Sequence, residues 1–182
     1  MATVTSSLIL TLLALTTANI SPVNRGASSG PVISASSISF ADDKDFVMKA
    51  AEAGLLEIKA AQLAAKTSSN EQIKSFVDAM IKDHGSANAE LLALAKKKSM
   101  TPRSALSTTS EQKLKSLSSK SGAAFDKAYA EAMVKDHQAA VELFKEQAAN
   151  GKDADLKQWA AEKLPTLEHH LSMAQELASS LK

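Results

Sequence analysis

Four long stretches of this sequence repeat apolar residues every three or four positions, and this spacing restricts the fold more than any other feature. Such a period places the apolar side chains on one face of an α-helix. The stretches cover about residues 43–66, 71–98, 121–149 and 153–181. Aromatic residues make up only 4% of the chain, and glycine and proline are few, which also favours helix over sheet. The sequence therefore predicts an all-α fold.

The connections between the predicted helices differ in length. Residues 67–70 and 150–151 are short polar breakers, whereas residues 99–120 form a link of about 22 residues that can hold a short helix over 111–117. Two helical hairpins joined by one long crossover are the connectivity of a ferritin-like four-helix bundle. Pro165 lies inside the fourth apolar pattern, so we expect it to kink that helix or to separate its first turns.

The N-terminal region has a different composition from the predicted bundle over residues 42–182. Leu8–Ala18 is an apolar run of signal-peptide length, so residues 1–18 are interpreted as a secretory signal peptide. Residues 19–41 are rich in serine and read as a flexible tether. This organisation predicts export to the periplasm, the envelope or the medium. An organellar transit peptide is the alternative, because the segment contains no acidic residue.

The charge balance and the missing residue types exclude several classes of function. Of the charged residues, only Arg25 precedes position 42, so the predicted bundle carries 20 acidic and 20 basic residues. A neutral body gives no electrostatic argument for binding nucleic acid. Cysteine is absent, which excludes disulfides and thiolate metal sites. The apolar run at Leu8–Ala18 is too short to span a bilayer, so we expect no membrane span in the mature chain; a homo-oligomer or an envelope partner is left open.

Four polar residues fall on the apolar faces of the four predicted helices. His84, His137 and His170 each lie three or four positions from apolar residues of their stripe, and Glu57 has the same spacing in the first helix. Each lies near the midpoint of its helix, and a midpoint has the same height whichever way the helix runs. We therefore expect the four side chains to meet in the core. They can bind one divalent metal, such as zinc, iron, manganese or copper, or form a metal-free hydrogen-bond network.

A second arrangement applies only if the metal is copper. Methionine and histidine recur four positions apart, and thioether and imidazole are suitable copper ligands; the residues concerned, beside the histidines already named, are Met80, Met133, His169 and Met173. Methionine in a helical stripe is more often core filling. Asp83 and Asp136 lie about 100° around the helix from the histidines that follow them. We expect them at the edge of the bundle, as hydrogen-bond partners or solvated charges.

Several segments together resemble a known family. The sequence Ala79–His84 recurs at Ala132–His137 with five of six residues identical, and Leu164–Leu171 reads Leu-Pro-Thr-Leu-Glu-His-His-Leu. With Asp45–Glu57 and Gly122–Asp126, these segments resemble the bacterial family catalogued as domain of unknown function 4142, over about residues 43–178. The resemblance implies a ferritin-like bundle that is usually exported and often labelled a periplasmic or outer-membrane protein.

The metal chemistry of the wider ferritin-like group is not expected here. That group holds two metals with two Glu-x-x-His pairs and two further glutamates, and no histidine in this sequence has glutamate three residues before it. A degenerate di-metal oxidoreductase is therefore the least favoured reading, and a role without catalysis is favoured. The leading hypothesis is an exported bundle that binds one divalent metal, and the alternative is a structural or stress-related envelope protein.

Overall fold

The computed structural model describes residues 42–181, and all of its regular structure is helical. The five helices are α1 (Asp43–Thr67), α2 (Glu71–Lys97), α3 (Thr108–Ser118), α4 (Gly122–Asn150) and α5 (Ala154–Ser180). The all-α prediction is confirmed. No helix among these residues is both long and apolar enough to cross a membrane. The predicted signal peptide (1–18) and tether (19–41) lie outside the described residues.

The helix ends follow from local side-chain chemistry. The Asn70 side chain accepts hydrogen bonds from the backbone N–H groups of Gln72 and Ile73 at the start of α2, and Asp153 accepts one from Leu156 at the start of α5. Gly151 ends α4. The expectation that Pro165 separates the first turns of the fourth helix is wrong, because α5 continues as one helix through Pro165. Packing on both sides of this proline outweighs its missing backbone donor.

The long link between α2 and α4 contains α3, which is longer than the short helix predicted at 111–117. Helix α3 packs against α1 and α4. Its N-terminus is attached to α1 by Glu52, whose carboxylate accepts hydrogen bonds from the backbone N–H of Ser107 at 3.0 Å and the hydroxyl of Ser110 at 2.7 Å. The link is therefore held along the surface of the bundle rather than left as a free loop.

The four long helices pack as a ring in which α1 contacts α2 and α4, and α5 contacts α4 and α2. Phe46 near the start of α1 and Trp159 near the start of α5 share one apolar cluster with Leu91 and Phe144, which lie towards the ends of α2 and α4. Helices α1 and α5 therefore run in one direction, and α2 and α4 run in the other. The link from α2 to α4 consequently travels the length of the bundle.

Two apolar clusters fill the core, one at each end of the bundle. The first contains Ala60, Ala61, Ala64, Ile73, Phe76, Val77, Met80, Leu117, Phe125, Tyr129, Ala130, Met133, Ala174 and Leu177. The second contains Phe46, Val47, Ala50, Ala51, Leu91, Ala95, Ala140, Val141, Phe144, Leu156, Trp159, Ala160 and Leu167. In every long helix the two sets of residues are separated by about two to three turns. That interval is occupied by one buried polar residue per helix.

Candidate metal centre

The polar residues between the two apolar clusters are Glu57 on α1, His84 on α2, His137 on α4 and His170 on α5. All four are buried, and His137 is fully inaccessible to solvent. The three imidazole rings contact one another, with ring centroids 5.3–5.6 Å apart. Buried polar groups without partners are costly, roughly 1–3 kcal/mol each. The arrangement of their nitrogen atoms therefore decides what this layer can do.

One nitrogen of each ring already has an acceptor. His84 Nδ1 lies 3.0 Å from Glu57 Oε2, His137 Nδ1 lies 2.9 Å from the backbone carbonyl of Met133, and His170 Nε2 lies 3.0 Å from Asp83 Oδ2. A carbonyl and an ionised carboxylate can only accept hydrogen bonds. The histidine nitrogen must therefore donate in each of the three pairs, and this fixes the tautomer of each neutral ring.

The remaining nitrogens are then lone-pair acceptors. They are Nε2 of His84, Nε2 of His137 and Nδ1 of His170, and each is buried without a hydrogen-bond partner in the described part of the chain. The three residues form a group in which one ring nitrogen from each lies within 4.8 Å of the others. Three converging acceptors cannot hydrogen bond to one another. They can be satisfied together by a cation, and metal–nitrogen bonds of about 2.0–2.1 Å require the rings to move inward by about 1 Å.

The electrostatics of the layer keep His170 neutral. Burial, opposed by the hydrogen bond that His170 donates to Asp83 and reinforced by repulsion from His84 and His137, lowers the pKa of His170 to about 4. Burial also works against a charge on His84, but the nearby Glu57 carboxylate outweighs it and the pKa of His84 is raised. For Glu57, burial is likewise outweighed, by His84 and the other two histidines, so its pKa is lowered. A proton and a metal ion would therefore compete for His84.

Glu57 lies in the same buried layer as the three histidines, beside two of their rings. The group of potential ligand atoms contains the three histidines and not Glu57. Its Oε2 faces Nδ1 of His84, and its Oε1 lies 3.6 Å from Nδ1 of His137. Glu57 thus lies on the Nδ1 side of two of the rings, a position from which a carboxylate can fix the orientation of an imidazole.

The residues suggested for copper lie in two different environments. His169 is exposed on the surface of α5. Met80 and Met133 are buried in the first apolar cluster, and Met173 packs against the same cluster. These methionines fill the core one turn from the polar layer, as methionine in a helical stripe usually does.

The two aspartates that precede the histidines have separate partners. Asp83 reaches across from α2 to His170 on α5, whereas Asp136 on α4 pairs with Lys113 of α3. Both were expected at the edge of the bundle as hydrogen-bond partners or solvated charges. Sequence reasoning did not identify Asp83 as the partner of His170, and the signal that could have shown it is the position of Asp83 on the face of α2 that turns towards α5.

A cavity of about 190 Å³ adjoins the layer from one side. Its buried walls include Glu57, His84 and His170, together with Phe144 and Trp159. A second cavity of about 410 Å³ reaches Glu57 from the side of α3 and is lined by no histidine. The histidine group is thus approached from the side of α2 and α5.

Comparisons with known proteins agree with the fold. A crystal structure described as a DUF305 fragment from Deinococcus radiodurans matches with a TM-score of 0.68 and 13% sequence identity, over 76% of this chain and 95% of the other. At that identity the likeness shows a shared helical fold only. No curated protein matches the sequence. Residues 29–177, which include all three histidines, match the family described as Domain of unknown function (DUF4142). The chain belongs to that family.

Proposed function

We propose that this protein binds one divalent transition-metal ion through Nε2 of His84, Nε2 of His137 and Nδ1 of His170. Two observations carry the proposal: one ring nitrogen from each of the three histidines lies within 4.8 Å of the others, and each ring has one buried nitrogen without a hydrogen-bond partner in the described part of the chain. Imidazole nitrogen is a good ligand for zinc, copper, iron and nickel. An ion at the centre would satisfy all three lone pairs together.

The groups behind the rings support the same reading. Histidines that bind metals almost always donate their other N–H to a carboxylate or a backbone carbonyl, which fixes the tautomer and the ring orientation. Glu57, the Met133 carbonyl and Asp83 each accept from one histidine at 2.9–3.0 Å. The hypothesis that Glu57 is a fourth ligand is replaced by a role in orienting His84.

The alternative is a metal-free network, in which a proton on His84 replaces the ion. The charge of Glu57 favours that proton, since it raises the pKa of His84. In that case His84 Nε2 would donate a hydrogen bond to one of the other two rings. The third ring would still lack a donor within the layer, and a buried nitrogen left without one costs roughly 1–3 kcal/mol.

Metal analysis of protein purified without chelator tests the proposal. We expect about one equivalent of metal in the wild type and in His169→Ala, and loss of that metal in His137→Ala. His169 is the matched control because it lies beside His170 but is exposed. Equal metal content in all three proteins, or no affinity of the wild type for added Zn²⁺, Co²⁺ or Cu²⁺, would refute the proposal.

The copper branch has its own test. If a thioether takes part, Met80→Leu should lower the affinity for Cu(I) while the protein still folds. Because Met80 is buried in the first apolar cluster, we expect the affinity to stay within about twofold of the wild type. A larger loss of Cu(I) affinity in Met80→Leu than in Met173→Leu would instead support copper-specific binding that involves Met80.

We also propose that the chain is exported, on the basis of the apolar run at Leu8–Ala18. The expected mature protein begins near Asn19. N-terminal sequencing of protein recovered from the native host tests this, and a full-length cytosolic chain would contradict it.

A further inference from the structure

The cavity of about 190 Å³ between the helices is built around the histidine group. Its deepest wall consists of buried residues, among them His84, His170 and Glu57. Ser86 and Thr166 line the same cavity and are exposed. The cavity therefore connects the solvent with two of the three rings, while His137 lies on the far side.

Small residues keep this space open. Ala50 and Gly54 of α1 and Ala87 of α2 line it. Gly54 is an interior helix residue, which costs about 1 kcal/mol relative to alanine. A Cβ at this position would lie 2.3 Å from Oδ1 of Asn88, which also lines the cavity. The absence of a side chain here lets the Asn88 amide pack against the α1 backbone.

The charged groups of the cavity are already paired with one another. Asp83 accepts a hydrogen bond from His170, and Glu57 accepts one from His84. Lys163 forms an ion pair with Glu90, which also accepts a hydrogen bond from Trp159 at 3.1 Å. Among the described histidine, aspartate and glutamate side chains, the group of potential ligand atoms consists of His84, His137 and His170. Three imidazoles leave at least one coordination position of a zinc-like ion free.

From these observations we infer that the cavity admits a small oxygen- or nitrogen-donor ligand, which binds the free coordination position of the metal. The inference rests on the proposed metal site and adds its ligand class. A water molecule occupies about 30 Å³ in the liquid, so the cavity holds several waters or one molecule of a few heavy atoms.

Azide binding to Co²⁺-loaded protein tests the inference, because the visible absorption of Co²⁺ responds to a change of ligand. We expect azide to shift the spectrum of the wild type. In Ala87→Leu, which fills the cavity, we expect an azide Kd at least tenfold higher at unchanged Co²⁺ stoichiometry. Thr166→Phe gives a second obstruction at an exposed position, where folding is not at risk, and should act in the same direction.

Ala139→Leu is the matched control. Ala139 lines the second cavity, which reaches Glu57 from the side of α3 but contains no histidine, so its azide Kd should stay within twofold of the wild type. The inference is overturned if Co²⁺ binds but azide leaves the spectrum unchanged. It is equally overturned if Ala87→Leu and Ala139→Leu weaken azide binding to the same extent. It is also overturned if Ala87→Leu only slows Co²⁺ uptake, since the cavity would then be a route for the metal. Failure to bind Co²⁺ at all would instead refute the metal site.

Discussion

Asp83 on α2 places its carboxylate Oδ2 3.0 Å from Nε2 of His170 on α5. This contact between two helices determines which nitrogen of His170 faces the interior of the layer. It leaves Nδ1 as the inner nitrogen, whereas His84 and His137 present Nε2. Asp83 is therefore the group that makes a third ring available to a metal.

Replacing Asp83 by alanine should weaken metal binding without removing a ligand. The loss of an acceptor behind a ligating histidine typically costs 10–100-fold in affinity, and we expect a decrease of that size in Asp83→Ala, measured by competition with a chromophoric chelator. Asp78→Ala, at an exposed position of the same helix, should bind metal like the wild type. Equal affinities of the two variants would show that Asp83 does not orient His170.

Metal removal should lower the thermal stability of the bundle. An ion that binds only the folded state, at a free concentration 100 times its Kd, stabilises it by about 2.7 kcal/mol. For a chain of this length, that corresponds to a rise in Tm of roughly 5–10 °C. We expect this difference in Tm between the metal-loaded and chelator-treated forms of the wild type, and between the same two forms of His169→Ala. The Tm of His137→Ala should not respond to metal, and a response like that of the wild type would argue for binding elsewhere.

The periodicity of the sequence predicts the helices and the height of the polar layer well. Glu57, His84, His137 and His170 share one level because each lies near the middle of its helix, and this follows from spacing alone. Periodicity defines where a side chain starts, but it does not define the rotation of a ring about its own bonds. Which nitrogen of His84 faces Glu57, and that Glu57 lies outside the group of three histidines, became visible only in the packed structure.

The contacts that the long link makes with the bundle could not be predicted from the sequence either. The pattern at 111–117 predicts a short helix, but the link has no apolar stripe strong enough to show where it docks. The structure attaches it through Glu52 and through the pairing of Lys113 with Asp136. Such polar contacts between residues more than 20 positions apart leave no periodic signal. The expectation that Pro165 separates the first turns of its helix failed for a related reason, because helix packing outweighed a local preference.

Gly54 and Asn88 should be energetically coupled. In the wild type, Gly54→Ala gains helix propensity of about 1 kcal/mol but forces the Asn88 amide to move, since the new Cβ would lie 2.3 Å from Oδ1. With Asn88→Ala in place that conflict is gone, and Gly54→Ala should stabilise the protein by about 1 kcal/mol. A double-mutant cycle of urea unfolding measures the difference. Additive effects would mean that the amide moves at no cost.

The attachment of α3 to α1 should depend on pH through Glu52. The hydrogen bonds from Ser107 and Ser110 outweigh the opposing effect of burial and hold the pKa of Glu52 below its ordinary value. A carboxyl group with a lowered folded-state pKa stabilises the protein above its unfolded-state pKa, and this contribution is lost as pH falls through the folded-state pKa. Its stabilising effect is therefore complete at neutral pH and disappears below about pH 4.

Unfolding of wild-type protein and Glu52→Gln across this range measures the effect. Because Glu52 is only partly buried, we expect the wild type to be more stable by about 1 kcal/mol at pH 7, with the difference shrinking towards zero in acid. Glu71→Gln is the control, because Glu71 is an exposed carboxylate that pairs only with the neighbouring Lys74 in the described part of the chain. A constant difference at every pH would show that Glu52 acts through its shape and not through its charge.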